Sequence, residues 1–268
     1  MSLRKYRGFL ALLAIMIVGL MALGAGVRTM NAGLSCPDWP LCFGKVIPDF
    51  HVGVWFEFVH RAYAGLVALL FLAALIIAFR SKEVPQRAKT AAKWGLGFLS
   101  LQILMGGLTV LLLVKAVVVT THLLLATLFL SCVVWMLLAV HAELRAPKYE
   151  AVPEAKHEER RHLGCATLIK ALPFLVFIQI AIGGLVASTY AGSVCVDWPL
   201  CNGQWVPTWK GAIGLQIIHR FVAYGWVLLF LALSIAAFLQ RSKLAASTRR
   251  FFYAGGVIVS LQTVVGIL

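Results

Sequence analysis

Charge is what this sequence is short of. Only 13% of its 268 residues are Asp, Glu, Lys or Arg, about half the share of a soluble domain. No water-solvated surface can be made from so few, and the disordered class is excluded with it. Six cysteines are too few for a disulfide scaffold, and nine prolines and 23 glycines give no fibrous composition. Acidic residues are scarcest of all, 10 against 24 Lys and Arg. What the chain has instead is apolar bulk: 61% of it, with a mean hydropathy of +0.91. That is the composition of a membrane protein.

A helix that crosses a bilayer needs about 20 mostly apolar residues. Uncharged runs of that order occur at Phe9–Val27, Ala62–Phe79, Trp94–Val114, Ala116–Val140, Ala171–Val196, Phe221–Gln240 and Phe251–Leu268. They predict seven spans, the second and sixth starting several residues before their uncharged runs. The first follows Arg4, Lys5 and Arg7 as a signal peptide would, but it is longer than a usual signal core and reads as a retained span. Basic residues are divided unequally between alternate connections, eighteen on the side of the N-terminus and six on the other. By the positive-inside tendency the N-terminus is cytoplasmic. The net charge of +14 is then mostly this bias, and nucleic acid is not needed to explain it.

An internal repeat organises the chain. Cys36-Pro-Asp-Trp-Pro-Leu-Cys42-Phe-Gly44 and Cys195-Val-Asp-Trp-Pro-Leu-Cys201-Asn-Gly203 agree at seven of nine positions, 159 residues apart. In the same register His60-Arg61 falls on His219-Arg220 and Pro48 on Pro207, while Leu101-Gln102…Gly106 matches Leu261-Gln262…Gly266 at an offset of 160. A duplicated four-helix unit follows. Four is even, so both copies point the same way. The expected fold is an all-α integral membrane protein of two tandem, pseudo-symmetric four-helix bundles. The first occupies residues 1–140, a charged connector 141–170, and the second 171–268, its eighth helix expected beyond Leu268.

Ionisable side chains inside spans are costly and usually functional. His60 lies near the outer end of span 2 and His122 near the outer end of span 4, at similar depths of roughly 10 Å. His219 repeats His60, and the counterpart of His122 is expected at position 282. Imidazoles from two helices of a bundle suit two-sided ligation of a haem iron; the plainer reading is histidines hydrogen-bonded within the bundle. Arg61 and Arg220 could pair with haem propionates or reach the headgroups. Glu57 shares a helix face with His60 and is a candidate proton carrier, and its repeat counterpart Gln216 has no titratable proton. Were Glu57 an interfacial surface residue, that difference would carry no meaning. Cys36/Cys42 and Cys195/Cys201 fall on outer loops, where disulfides persist. Each pair can close a small ring, as a staple or, for Cys36/Cys42, as a redox pair. Cys132 and Cys165 read as small apolar fillers. Gly106-Gly107 and Gly183-Gly184 read as helix-packing positions, and His51, His141, His157 and His162 carry no assigned chemistry.

Glu57-x-x-His60-Arg61, His122, the Cys36/Cys42 loop and His219-Arg220 together resemble the haem A synthases of bacterial and mitochondrial membranes, over essentially the whole chain. The resemblance implies oxidation of the C8 methyl of haem O to a formyl group, giving haem A for terminal oxidases. It implies that His60 and His122 ligate the substrate haem, that Glu57 is the catalytic carboxylate, and that Cys36 and Cys42 are the loop pair linked to turnover. His219 would ligate a haem b in the C-terminal half. The implied location is the cell (inner) membrane, multi-pass, with the cysteine loops outside. Implied partners are haem O, membrane lipid, a haem O synthase and an electron acceptor, with a homo-oligomer left open. Two other readings stand beside it: a di-haem b-type electron-transfer protein, and a membrane thiol–disulfide oxidoreductase.

Overall fold

The computed structural model describes residues 1–146, 163–241 and 246–267. His157, His162 and most of the 141–170 connector lie outside the described residues, as does the side chain of Cys165. Two compact units emerge, Met1–Ala166 and Thr167–Leu268. The first holds α1 (Leu3–Thr29), α2 (Val52–Arg80), α3 (Gln86–Leu111) and α4 (Ala116–Arg145). The second holds most of α5 (Leu163–Ser188), a short 3₁₀ turn (Ala191–Ser193), α6 (Gly211–Leu239) and α7 (Ala246–Ile267). Among the described residues there is no strand, only the single bridges Cys42–Lys45 and Cys201–Gln204.

Helices are what these runs must become, because in lipid every backbone N–H and C=O has to be satisfied within its own segment. α2 has 29 residues and is about 44 Å long, ample for a hydrocarbon core of about 30 Å. α2 and α6 begin at Val52 and Gly211, ahead of their uncharged runs as expected. Among the described residues six helices, α1 to α6, are long and apolar enough to cross a membrane, and the chain is a multi-pass membrane protein. Their outward faces carry exposed Leu12, Ile15, Val18, Leu69 and Ile76, a surface that only a bilayer solvates well.

Two helix ends differ from the apolar runs. α5 stops at Ser188, although the run continues to Val196. The Ser188 hydroxyl donates to Gly184 O at 2.7 Å and the Thr189 hydroxyl to Leu185 O at 2.7 Å. Tyr190 then takes the left-handed conformation, φ 56°, and the chain turns away. α3 stops at Leu111, and Leu113 and Val114, with φ 53° and 48°, reverse the chain directly into α4. Hydropathy cannot register either event, because the turning residues are themselves apolar or aromatic.

In the first unit α1 packs on α2 and α4, and α3 on the same two helices, closing a ring of four. Its fully buried core is a plug at one end: Leu10, Leu13 and Ile17 of α1, Val67 and Phe71 of α2, Ala91 and Leu99 of α3, Phe129 and Met136 of α4. Tyr6, buried in the same plug, donates its hydroxyl to Ala74 O at 2.9 Å. Phe71 meets Phe129 edge-on at 4.9 Å and lies over Gly95, while Phe230 lies over Gly255 in the second unit. Phe71 and Phe230, like Gly95 and Gly255, are repeat counterparts. The duplication is therefore preserved in packing as well as in letters. The second unit gathers Leu172, Trp226 and Phe230 into its own smaller core.

Candidate functional site

The plug stops at one level, and the candidate residues start beyond it. Ile17, Val67, Leu99 and Phe129 are core positions nearest that end of the four helices. Seven residues farther along each helix stand Gly24, His60, Gly106 and His122. Seven residues are two turns, about 10 Å. A layer of two imidazoles and two glycines thus sits above the apolar core, and the partly buried Leu20, Met21 and Tyr63 lie in the stretch between.

Each histidine leans on a glycine of the preceding helix. A Cβ on Gly24 would come within 2.9 Å of His60 Cε1, one on Gly106 within 3.2 Å of His122 Cε1, and one on Gly183 within 2.9 Å of His219 Cε1. The rings occupy the space where a side chain would be. His60 lies within electrostatic range of His122. Nδ1 of His60 and Nδ1 of His122 are both buried without a hydrogen-bond partner. Buried polar atoms left without a partner are uncommon and call for an explanation.

Over this layer lies the Cys36–Cys42 loop, closed by its disulfide and folded around Asp38. The Asp38 carboxylate accepts from Phe43 N at 2.6 Å and Gly44 N at 2.8 Å. Those two residues have φ 54° and 68°, a turn that suits the glycine. The Gly44 N–H above all, with the Phe43 N–H and the Arg61 charge, holds the Asp38 carboxyl below the usual carboxylate range. Arg61 donates to Asp38 O at 2.6 Å, Leu41 O at 2.7 Å and Cys36 O at 3.1 Å. Glu57 completes the anchor: Oε2 accepts from Cys36 N at 2.9 Å, and Oε1 is ion-paired with Arg61 Nη2. Trp39 reaches from the loop onto Gly107 of α3, next to the glycine that seats His122.

The second unit repeats the loop. Cys195–Cys201 is closed, and Asp197 accepts from Asn202 N and Gly203 N. Arg220 donates to the carbonyls of Asp197, Leu200 and Cys195. Gln216 is buried where Glu57 is, but its Oε1 has no partner.

The arginines thus have a task that the sequence reading did not contain. Both guanidinium groups face loop carbonyls, where propionates or headgroups had been expected. Glu57 likewise sits in an ion pair and not alone in an apolar pocket. The signal was available, since Glu57 and Arg61 are four residues apart on one helix. Gly24 was also missed, though the repeat places it on Gly183. Cys132 is free and buried, as a core filler would be. His51 stands at the start of α2 beside a cavity of about 520 Å³ bordered by Ser35, Phe43, Asp49, Phe50 and Val54.

Among the described residues no three His, Cys, Asp or Glu side chains gather to hold a bare metal ion. Two imidazoles are, however, a sufficient donor set for an iron that brings its own four equatorial nitrogens. The unpartnered ring nitrogens and the glycine seats fit such a group.

Comparison with known proteins identifies the family. The chain is 31% identical to the heme A synthase of Symbiobacterium thermophilum over 84% of its own length and 72% of that protein's. It is 30% identical to the heme A synthase of Halalkalibacterium halodurans over 81% and 71%. With the heme A synthase of Ruegeria pomeroyi it shares 28% identity over 98% of this chain and 80% of the relative. The profile of the COX15-CtaA family, cytochrome oxidase assembly protein, matches residues 7–268, and the chain belongs to that family.

Proposed function

We propose that the first unit is the catalytic half of a haem A synthase, an enzyme that oxidises haem O to haem A for terminal oxidases. The carrying observation is the pair His60 and His122, half-buried at one level, each with a buried, unpartnered Nδ1, beneath a loop anchored by Glu57. His60 and His122 hold the iron of the substrate haem. The reacting carbon is the C8 methyl group, which passes to an alcohol and then a gem-diol before losing water to the aldehyde. Each of the two oxidations takes up one oxygen atom from water and releases two protons and two electrons, the electrons leaving for an acceptor outside the chain.

What the chain itself supplies is position and proton handling. The glycine seats let both rings approach their neighbouring helices, and the apolar plug closes the bundle below. Glu57 takes a proton from the substrate. Both of its oxygens are engaged, one by Cys36 N–H and one by Arg61, so taking up a proton loosens its hold on the loop. The disulfide staples that loop over the site.

The second unit has the same loop, the same glycine seat and His219, but Gln216 in place of the carboxylate. It fits a resident haem b held through His219, which when bound supplies electron transfer. Residues 1–140 are thus the substrate bundle and 171–268 the haem b bundle. The excess of basic residues on the N-terminal side puts the loops on the outer face of the cell membrane.

The test is pigment extraction from cells making the protein together with a haem O source. Haem A or its hydroxylated precursor accumulates with the wild type and disappears with His60→Ala, His122→Ala and Glu57→Ala. Haem O alone from every strain would leave a di-haem electron carrier as the better reading.

A further inference from the structure

The two disulfide loops share Asp-Trp-Pro-Leu-Cys, yet their tryptophans go different ways. Trp198 meets Tyr224 of α6 edge-on at 6.5 Å, and the Tyr224 hydroxyl donates to Pro199 O at 3.1 Å. Phe221 continues the run, 6.1 Å from Tyr224 and 6.3 Å from Trp209. Four rings in a row thus join the second loop to the flank of α6. In the repeat register Phe221 falls on Ala62 and Tyr224 on Gly65, while the outer two rings are kept as Trp39 and Phe50. Just below, the buried Trp226 falls on Val67. Trp39 has no ring at position 65 to meet, and it crosses to α3 and lies over Gly107.

Helix packing follows the same trend. α2 and α3 are the least packed neighbours in the ring of four, and less packed than α6 and α7, their repeat counterparts. Gly65 is exposed, and a Cβ there would meet nothing within 4 Å. It lies five residues past His60 on α2, about 7.5 Å along the helix. The flank of α2 is therefore open to lipid just below the histidine layer.

We propose that the isoprenoid chain of haem O leaves the first unit along this flank, and that Gly65, with Ala62, is what lets this half take a prenylated haem. The proposal rests on the substrate reading above and deepens it. Haem O and haem b present the same iron and the same four ring nitrogens, so a pair of imidazoles does not tell them apart. They differ in the long apolar chain of haem O. A bundle plugged by Leu10, Leu13 and Phe71 has no room to coil that chain inside, because such cores are close-packed. The chain has to pass between two helices into lipid, and a loosely packed pair with small side chains offers the route. In the second unit Phe221 and Tyr224 fill it, which suits a haem without the chain. Side chains on a helix lean toward its N-terminus, so a ring placed at position 65 would rise to the loop as Tyr224 does and shut the route.

The experiment titrates the full chain, purified in detergent, with haem O and separately with haem b, the absorbance change lost in His122→Ala defining the first-unit site. In the wild type that site binds haem O at least about tenfold more tightly than haem b. Gly65→Tyr weakens haem O about tenfold or more, the scale of an overpacked site, and leaves haem b within about twofold. Ala62→Phe does the same, and keeps the test decisive should the tyrosine variant fail to fold. Equal weakening of both haems, or of neither, overturns the proposal. So does an unchanged ratio of the two affinities with a changed oligomeric state in sedimentation, which would make the flank a contact between copies of the chain. If the wild-type site binds neither haem, the haem-ligand reading itself falls and takes the proposal with it.

Discussion

The Glu57 carboxylate accepts the backbone N–H of Cys36 at 2.9 Å, joining α2 to the loop 21 residues earlier in the chain. Its repeat counterpart Gln216 is as deeply buried and its Oε1 bonds to nothing. One half of the molecule ties an ionisable group to its disulfide loop and the other does not. Glu57→Gln keeps the size and loses the charge. It is expected to lower haem A yield about a hundredfold, the scale of one general acid–base group. Gln216→Glu is expected to change the yield less than about twofold. Extracted pigments separated by chromatography measure both, and equal losses in the two variants would remove the distinction between the halves.

Arg61 and Arg220 offer a second comparison. Both bind three loop carbonyls, but only Arg61 also neutralises a buried carboxylate. Arg61→Ala strands Glu57, so it should destabilise the first unit by about 3 kcal/mol. Arg220→Ala leaves no charge behind and should cost about half as much. Thermal unfolding in detergent reports the stability, and the rate at which a thiol reductant opens Cys36–Cys42 or Cys195–Cys201 reports each loop.

The glycine seats predict a sharp positional effect. Gly24→Ala and Gly106→Ala push against His60 and His122 and should empty the first unit of haem. Gly97→Ala on α3 meets no atom within 4 Å and should be neutral or stabilise the helix by up to about 1 kcal/mol. Haem content per protein, read from the absorption spectrum, separates them. Equal haem in all three would mean that the rings do not need the seats.

Asp38 sets a pH dependence on the first loop. Its carboxyl is held below the ordinary range, chiefly by the Gly44 N–H. A depressed folded value gives a contribution that is complete above the unfolded pKa of about 3.9 and fades as pH falls through the folded value. Resistance of Cys36–Cys42 to reductant should therefore be flat from neutrality down to about pH 5 and decline below about pH 4. Asp38→Asn should weaken the loop at neutral pH and abolish that decline. Asp197, whose carboxyl is depressed mainly by Gly203 N–H, should confer the same behaviour on the second loop.

Much of this was written in single residues. Apolar runs marked seven helices, of which six, α1 to α6, are long and apolar enough among the described residues to span a membrane, because lipid leaves a spanning backbone no other way to satisfy itself. The Cys-x5-Cys pairs and the His-Arg pairs, found twice in one register, exposed the duplication and the candidate ligands. The Glu57 and Gln216 difference was visible as two letters. Local pattern determines these things because they depend on side-chain type and spacing alone.

Tertiary structure decided the rest. That Arg61 turns toward loop carbonyls depends on where the Cys36–Cys42 ring comes to lie, which helix periodicity does not encode. That Gln102 meets His122, and that Gly24 seats His60, depends on which face of α3 opposes α4 and which face of α1 opposes α2. Contacts between segments distant in the chain are set by packing over the whole bundle, so the residues that hold the histidines could be recognised only once the helices stood side by side.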